Sequence, residues 1–405
     1  MSVTTQLRVF QLWYYDLSVK RAGVPEADMI ILNIRAHVLE AVLSQPFAYS
    51  RAWYAKRHSL IVEIETDQGL TGWGECYGPA RINAGVVHEL GSLLIGQDAL
   101  RTEFIWHDLY ARFRDHGQKG SVLQGLSGID IALWDLKGKY FNQPVHRLMG
   151  GPVRDKVTAY ATGLYRQESG DPASYLAEEA AQYCAQGFSA MKLKVGFGVE
   201  DDLRAARAVR AAIGTHTRLM IDANHAYDSV AAIALGRRIE ELDISWFEEP
   251  VPPEDVDGHT RVRAALSIPI ASGECEFTRL GFRTLLDRHA IDIAQPDTCS
   301  AGGLSECKKI ADLVFAYGVR FAPHVWGTGI AIAAALQLLA VVQPSTPPSL
   351  QPEEPMLEFD RTEHPIRAAL LTDPIEHMNG IVRVPQGPGL GIDIDRQALA
   401  HFRAE

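Results

Sequence analysis

The chain has 405 residues, 47% apolar and 22% charged, which suits two domains with substantial cores and argues against a disordered chain. Its 39 Lys and Arg against 50 Asp and Glu give a formal net charge of −11, so binding to nucleic acid or to an anionic membrane through a basic surface is not expected. The five cysteines, Cys76, Cys184, Cys275, Cys299 and Cys307, are odd in number and lack CxxC spacing, which argues against a disulfide framework or a structural zinc site and for a reducing cytosol.

Residues 1–28 form an extension with no assigned structure, and Met1–Leu17 lacks the charged segment and apolar run of a signal peptide. From Met29 the pattern changes. Ile30–Leu43 is rich in β-formers, and Ser59–Thr66 alternates apolar and charged residues as a half-exposed strand does. Asp67, Gln68 and Gly69 supply a turn, and Leu70–Glu75 reads as the return strand. Helical periodicity runs from about Asn83 to Tyr140. Strands first and helices after predict a smaller α+β domain over residues 29–150.

After Gly150 and Gly151 the rhythm becomes strand–helix, repeated. Short apolar strands end near Ala161, Lys194, Asp222, Glu248, Glu274, Asp297, His324 and Glu358. Asp171 and Pro172 form an N-cap and N1 pair for a helix that stops at Gly187, and Asp201–Ile213 reads as a helix closed by Gly214. Ile330–Val342 suits a buried helix, because a membrane span needs about 20 apolar residues. Eight strands alternating with helices predict a closed α/β parallel barrel over residues 151–374. Neither a GxGxxG turn after a strand nor a GxxxxGK[ST] loop occurs, which disfavours nucleotide-binding sheets.

Barrel enzymes build their sites at the C-terminal ends of the strands. Here those ends carry ionisable residues. Lys192 and Lys194 stand two positions apart and so point to the same face. Asp222, Glu248 and Glu274 end three successive strands and are expected to converge, which is unfavourable unless a cation lies between them. Oxygen donors without a cysteine or a required histidine favour Mg²⁺. Lys194 is the candidate base, with Lys192 as a like charge lowering its pKa. His324, oriented by Asp297, is a second acid/base, and Glu358, if protonated, donates a hydrogen bond to the developing enediolate. Taken singly, each of these residues reads as a cap, a solvated face or a structural group. Seven in phase with seven strand ends read as a site. Asn224 and His225 read either as ligand contacts or as turn residues, and Trp326 as pocket wall or packing.

The stretches Gly72–Glu75, Ser127–Asp135, Lys192–Lys194, Asp222–Asn224, Phe247–Pro250, Gly273–Glu274 and Gln295–Asp297 resemble the enolase superfamily, in its mandelate racemase and muconate lactonizing group. The resemblance covers Met29 to the C-terminus. It implies a capping domain and a modified (β/α)7β TIM-like barrel, with residues 375–405 returning to the cap. It also implies Mg²⁺ on Asp222, Glu248 and Glu274, with Lys194 and the His324–Asp297 dyad on opposite faces of the substrate. A homo-oligomer, dimer to octamer, is implied as well. Gly74–Asn83, Ile221–His225, Pro323–Gly329, Glu358–Arg361 and Gly387–Ile392 are similar to group members that act on acid-sugar lactones. That likeness implies cycloisomerisation, a β-elimination, of a lactone such as galactarolactone. Acid-sugar dehydration, or racemisation and epimerisation, use the same framework and remain open. A Schiff-base aldolase on Lys192 or Lys194 and a non-catalytic barrel scaffold are the readings of other classes.

The loop Ser44–Ser59 is expected to close over the substrate. Arg57, Tyr77 and Arg81, with Arg51, Tyr54 and Lys56, are candidates for recognising a polyhydroxy acid, and the cations read equally as solvated surface charge. The chain departs from the lactone-specific pattern at Ser272, Cys275 and Glu276.

Overall fold

The computed structural model describes residues 28–344 and 354–404. The N-terminal extension, and the reading that it holds no signal peptide, lie outside the described residues except for Asp28. Two sheets organise the rest.

The first sheet is antiparallel. β1 (Ile31–Ala48) and β2 (Trp53–Thr66) form a long hairpin, and β3 (Thr71–Cys76) pairs with β2. The turn between β2 and β3 falls at Asp67–Gly69, with Gly69 at φ 72, the left-handed region glycine enters without strain. The β1–β2 ladder runs further than the alternating segments suggest. It skips at Val42/Phe47 and resumes with Phe47 opposite Tyr54. Helices Ala80–Ser92, Thr102–Phe113 and Ser121–Tyr140 cover one face. The longest lies directly on β3: a Cβ on Gly74 would stand 1.9 Å from the Gly128 carbonyl oxygen, so only glycine permits this approach.

The second sheet is the barrel. Its strands are β4 (Lys156–Thr162), β6 (Ala190–Lys194), β7 (Arg218–Asp222), β8 (Ile244–Glu248), β9 (Ile270–Ser272), β10 (Ile293–Ala294), β11 (Arg320–Phe321) and β12 (Leu357–Asp360). Each is parallel to its neighbour in the order β11-β10-β9-β8-β7-β6-β4-β12. Helices Pro172–Ala185, Val199–Ile213, Ser229–Ile239, Val256–Ala265, Thr278–Asp287, Gly303–Ala316 and Gly329–Leu339 follow the first seven strands, giving (β/α)7β. The Asp171 cap is made, its carboxylate accepting from Ser174 N. The expected apolar helix begins at Gly329 and is buried along its whole length.

One buried cluster draws a residue from each strand or its flank: Tyr160, Ala190, Met220, Trp246, Ala271, Ile293, Ala322 and Met356. This is the inward layer of the barrel. Side chains two positions on face the same way, so Thr162, Lys192, Asp222, Glu248 and Glu358 form the next layer up. The period-2 rule thus sets polar groups directly on an apolar plug.

The two sheets are locked together. Glu75 of β3 accepts from Thr328 N (3.0 Å), Thr328 Oγ1 (2.6 Å) and Ala331 N (3.1 Å), at the start of helix Gly329–Leu339. Asp130 accepts from Ser305 N and Oγ. The two-residue strand β5 (Arg166–Gln167), just after β4, pairs with Phe47 and Ala48 at the hairpin tip. The C-terminal segment pairs twice: β13 (Ile381–Arg383) lies antiparallel to β4, and Ala404 N donates to Val38 O of β1.

Candidate active site

At the C-terminal mouth of the barrel, Asp222 and Glu248 are the last residues of adjacent strands and are fully buried. Glu274 stands two residues beyond β9, because that strand has only three residues before Gly273. The three carboxylates each offer an oxygen within 4.8 Å of the others. Asp297 and His324 likewise lie three residues past the short β10 and β11, on the loops. Glu358 lies within β12.

Lys192 is wholly buried beneath this mouth. Its Nζ donates to Glu248 Oε1 at 2.5 Å and lies 2.8 Å from Glu358 Oε1 and 3.4 Å from Asp222 Oδ2. Burial alone would lower its pKa, but Glu248 and Glu358 outweigh burial and hold it well above the usual lysine value. It is a fixed internal cation. Lys194 reaches further: its Nζ donates to Asp222 Oδ2 (2.5 Å) and Asn224 Oδ1 (3.0 Å). Burial and the like charge of Lys192 act to lower its pKa, as the sequence suggests, yet Asp222 prevails and raises it. The depression expected from Lys192 is therefore absent while Asp222 is paired with Lys194.

The carboxylates divide by their neighbours. For Asp222 burial is outweighed by Lys194 and Lys192, which hold it below the usual range. Glu248 is pushed up to about 8 by burial and by Asp222, Glu358 and Glu274, despite Lys192. Glu358 is drawn down to about 2, because Lys192, His324 and Lys194 overcome burial. It accepts from Thr162 Oγ1 (2.6 Å) and Val325 N (3.1 Å). The protonated, donating Glu358 of the sequence reading is thus replaced by an ionised acceptor. The cause is Lys192, buried beside it.

His324 Nδ1 bonds Asp297 Oδ2 at 2.6 Å, and its Nε2 lies 3.5 Å from Glu274 Oε2. Glu274 and Asp297 overcome burial and raise the imidazole to about 10. Asp297 is itself fixed by Cys299 N at 2.6 Å.

Above these groups is a cavity of about 140 Å³. Lys194, Asn224, His225, Glu274, His324 and Glu358 line it, with Tyr77 and Trp326. Asn224 and His225 both hold positive φ, 43 and 62, on the turn after β7. Strained backbone of this kind clusters at functional sites. The roof comes from the hairpin tip, through Tyr49 and Tyr54, and Ser50 Oγ donates to Ala223 O at 2.7 Å. The segment Ser44–Ser59 thus lies over the barrel mouth.

Arg57 and Arg81 do not line this cavity. They border a second one, of about 410 Å³, that shares Tyr54, Tyr77 and Trp326 with the first. The Arg57 guanidinium is taken up internally: it pairs with Asp360 at 2.9 Å and lies over the Trp326 ring at 4.5 Å. Tyr49 and Tyr165 line the cavity without having been singled out. Tyr165 follows the end of β4 by three residues and packs under Lys194, Nζ standing 5.3 Å from its ring centroid. Its place just past a strand end was the available signal.

Among the described residues no helix is long and apolar enough to cross a membrane, and all five cysteines are free.

Two family models match the chain: the mandelate racemase / muconate lactonizing enzyme N-terminal domain over residues 33–150, and the enolase C-terminal domain-like family over residues 175–398. The chain is 52% identical over 375 residues to a D-galactarolactone cycloisomerase of Agrobacterium fabrum, spanning 93% of this chain and 99% of that one. It is 34% identical over 350 residues to an arabinonate dehydratase of Saccharolobus solfataricus, 85% and 91% of the two chains. Its fold matches the crystal structure of the 3,6-anhydro-D-galactonate cycloisomerase of Zobellia galactanivorans with a TM-score of 0.85, at 43% identity over 93% of this chain and 100% of that one.

Proposed function

Since the chain belongs to the mandelate racemase and muconate lactonizing enzyme group of the enolase superfamily, and so to a family of isomerases and lyases, we propose that it is an Mg²⁺-dependent cycloisomerase of an acid-sugar lactone of the galactarolactone kind. The observation that carries this reading is the convergence of Asp222, Glu248 and Glu274 under a cavity walled by Lys194 and His324.

The trio fits a hard dication. Its donors are all carboxylate oxygens, they are buried, and Glu248 is driven toward protonation by burial and by its like-charged neighbours. Mg²⁺ held by Asp222, Glu248 and Glu274 supplies Lewis-acid stabilisation of the charge that proton removal puts on the substrate carboxylate. Lys194 takes the proton from the carbon next to that carboxylate. For this its ammonium must leave Asp222 and shed a proton, and the Lys192 charge favours that loss. The ring oxygen then leaves the neighbouring carbon as a carboxylate. The resulting enol takes a proton on the carbon that lost the oxygen, so the sum is an isomerisation. His324, held by Asp297 through Nδ1, keeps its Nε2 proton available for that delivery. Lys192 keeps Glu358 charged and holds Glu248 in place. The tyrosine roof excludes water, which strengthens each of these charges.

The reading includes a homo-oligomer. Val42, Trp53 and Ile82 on the cap are large, apolar and more than half or half exposed, at 67%, 50% and 61%, and a light-scattering mass tests it.

The reaction is tested by incubating the protein with Mg²⁺ in D₂O with a panel of hexarolactones, hexaric acids and aldonic acids, followed by NMR. The expected result is consumption of a lactone and a keto-acid product deuterated at its deoxy carbon. Consumption of an open-chain acid with the lactones untouched would establish the dehydratase reading, which the arabinonate dehydratase relative keeps open. No turnover of any of them would overturn both.

A further inference from the structure

Beside the Asp222–Glu248–Glu274 trio lies a cluster of which the proposed reaction uses only Glu274. His225, Glu249, Glu274 and Cys275 each present one donor atom within 4.8 Å of the others. Glu249 is 1% exposed, and neither of its carboxylate oxygens has a hydrogen-bond partner. His225 Nδ1 stands 3.1 Å from Glu249 Oε2, but out of alignment for a hydrogen bond, and it too is buried without a partner. Cys275 Sγ lies 3.7 Å from His225 Nε2, and the thiol is free.

A buried carboxylate with no donor is costly, and native structures rarely leave one so. The backbone reinforces the arrangement. His225 and Glu249 both hold positive φ, 62 and 42, a strained conformation for non-glycine residues. His225 N donates to Glu249 O at 2.9 Å, which holds the two turns together. The His225 ring sits between the other two side chains, its Nδ1 toward Glu249 and its Nε2 toward Cys275.

We propose that His225, Glu249 and Cys275, with Glu274 shared, form a second metal site, one for a borderline-soft dication such as Zn²⁺. A thiol and an imidazole beside carboxylates make a mixed S, N, O set, which selects zinc over magnesium. The thiol gives up its proton to solvent on binding. Zinc bonds of about 2.0–2.3 Å set tetrahedral donors roughly 3.3–3.8 Å apart, so modest side-chain rotations close the present spread. Glu274 belongs to both clusters, so filling one site changes the affinity of the other, reciprocally. His225 and Cys275 also line the cavity, and an ion there narrows it. Zinc therefore inhibits turnover without displacing magnesium.

The test uses the full chain with saturating Mg²⁺ and needs no substrate; the retention of Mg²⁺ rests on the magnesium site proposed above, whereas the zinc stoichiometry and the thiolate band do not. Zn²⁺ is titrated against a chromogenic chelator. Co²⁺ is titrated separately, and the near-ultraviolet thiolate-to-metal absorption is read. We expect one Zn²⁺ per chain with Mg²⁺ retained, and a cobalt–thiolate band. Cys275→Ser removes the band, and it and Glu249→Gln each weaken zinc at least about 10-fold. Cys184→Ser, at the other half-buried thiol, changes neither reading and shows that substitution alone is not the cause. Zinc that binds only by expelling magnesium, cobalt without a thiolate band, or affinity unchanged in Cys275→Ser would each overturn the proposal. So would the absence of zinc binding.

Discussion

Replacing Lys192 with methionine isolates what this buried ammonium does. The side chain is 0% exposed, and methionine fills most of its stem while removing the charge. Glu248 loses a partner at 2.5 Å and Glu358 one at 2.8 Å. Glu248 keeps only the Trp246 indole N–H (3.0 Å) and the Gln295 amide (2.7 Å) as donors. Removing one member of a buried ion pair costs about 3–5 kcal/mol, because the partner is left charged without compensation. Part of this is recovered when Glu248, already pushed up to about 8, takes a proton. The expected loss in EDTA is therefore about 3 kcal/mol, at the low end of that range. With a urea slope of about 3 kcal/mol/M, the midpoint falls by about 1 M. Saturating Mg²⁺ narrows the gap, since a cation bound only by the folded state replaces the missing charge. The assay is urea unfolding followed by fluorescence, with EDTA and then with Mg²⁺. A variant as stable as the parent in EDTA would refute the reasoning, for Lys192 would not then be what holds these carboxylates together.

Lys194→Ala is expected to reduce α-proton exchange by about 10²–10⁴-fold; NMR in D₂O measures it, and exchange at the parent rate would remove Lys194 as the base. Glu63, buried between β1 and the C-terminal helix Arg396–His401, is drawn down to about 2 by His37 and Arg396 against burial. A folded pKa below the ordinary 4.5 means a contribution that is whole above pH 4.5 and lost as pH falls toward 2. Urea midpoints should therefore drop more steeply with acid in the parent than in Glu63→Gln, and parallel curves would contradict this. Gly74→Ala sets a Cβ 1.9 Å from the Gly128 carbonyl, a backbone atom that cannot rotate away. A loss of about 3 kcal/mol is expected, and an unchanged melting temperature would show that β3 and its helix are free to move apart.

Much of the barrel was legible in the sequence because its strands obey a simple rule. Lys192, Asp222 and Glu248 sit at inward positions two residues after Ala190, Met220 and Trp246, and apolar residues below with ionisable ones above is a pattern spacing reveals. It was less legible where strands are short. β10 and β11 have two residues each, so Asp297 and His324 ride on loops whose geometry no periodicity encodes. The hairpin extends beyond the β-forming run Ile30–Leu43: Pro46 and the polar residues before it resemble a loop, while pairing with β5 keeps the segment extended. Arg57 illustrates the remaining limit. Its partner Asp360 lies 303 positions away, and nothing local distinguishes a guanidinium consumed by an internal ion pair from one offered to a substrate. The ionised Glu358 has a similar origin, since its state depends on a lysine delivered by a different strand.

Isothermal titration with Mg²⁺ tests the central claim most directly. The parent protein is predicted to bind one Mg²⁺ per chain, and Asp222→Asn and Glu248→Gln to weaken that binding at least about 10-fold, while Lys194→Ala retains it. Absence of Mg²⁺ binding by the parent, or equal affinity in all four proteins, would contradict the account.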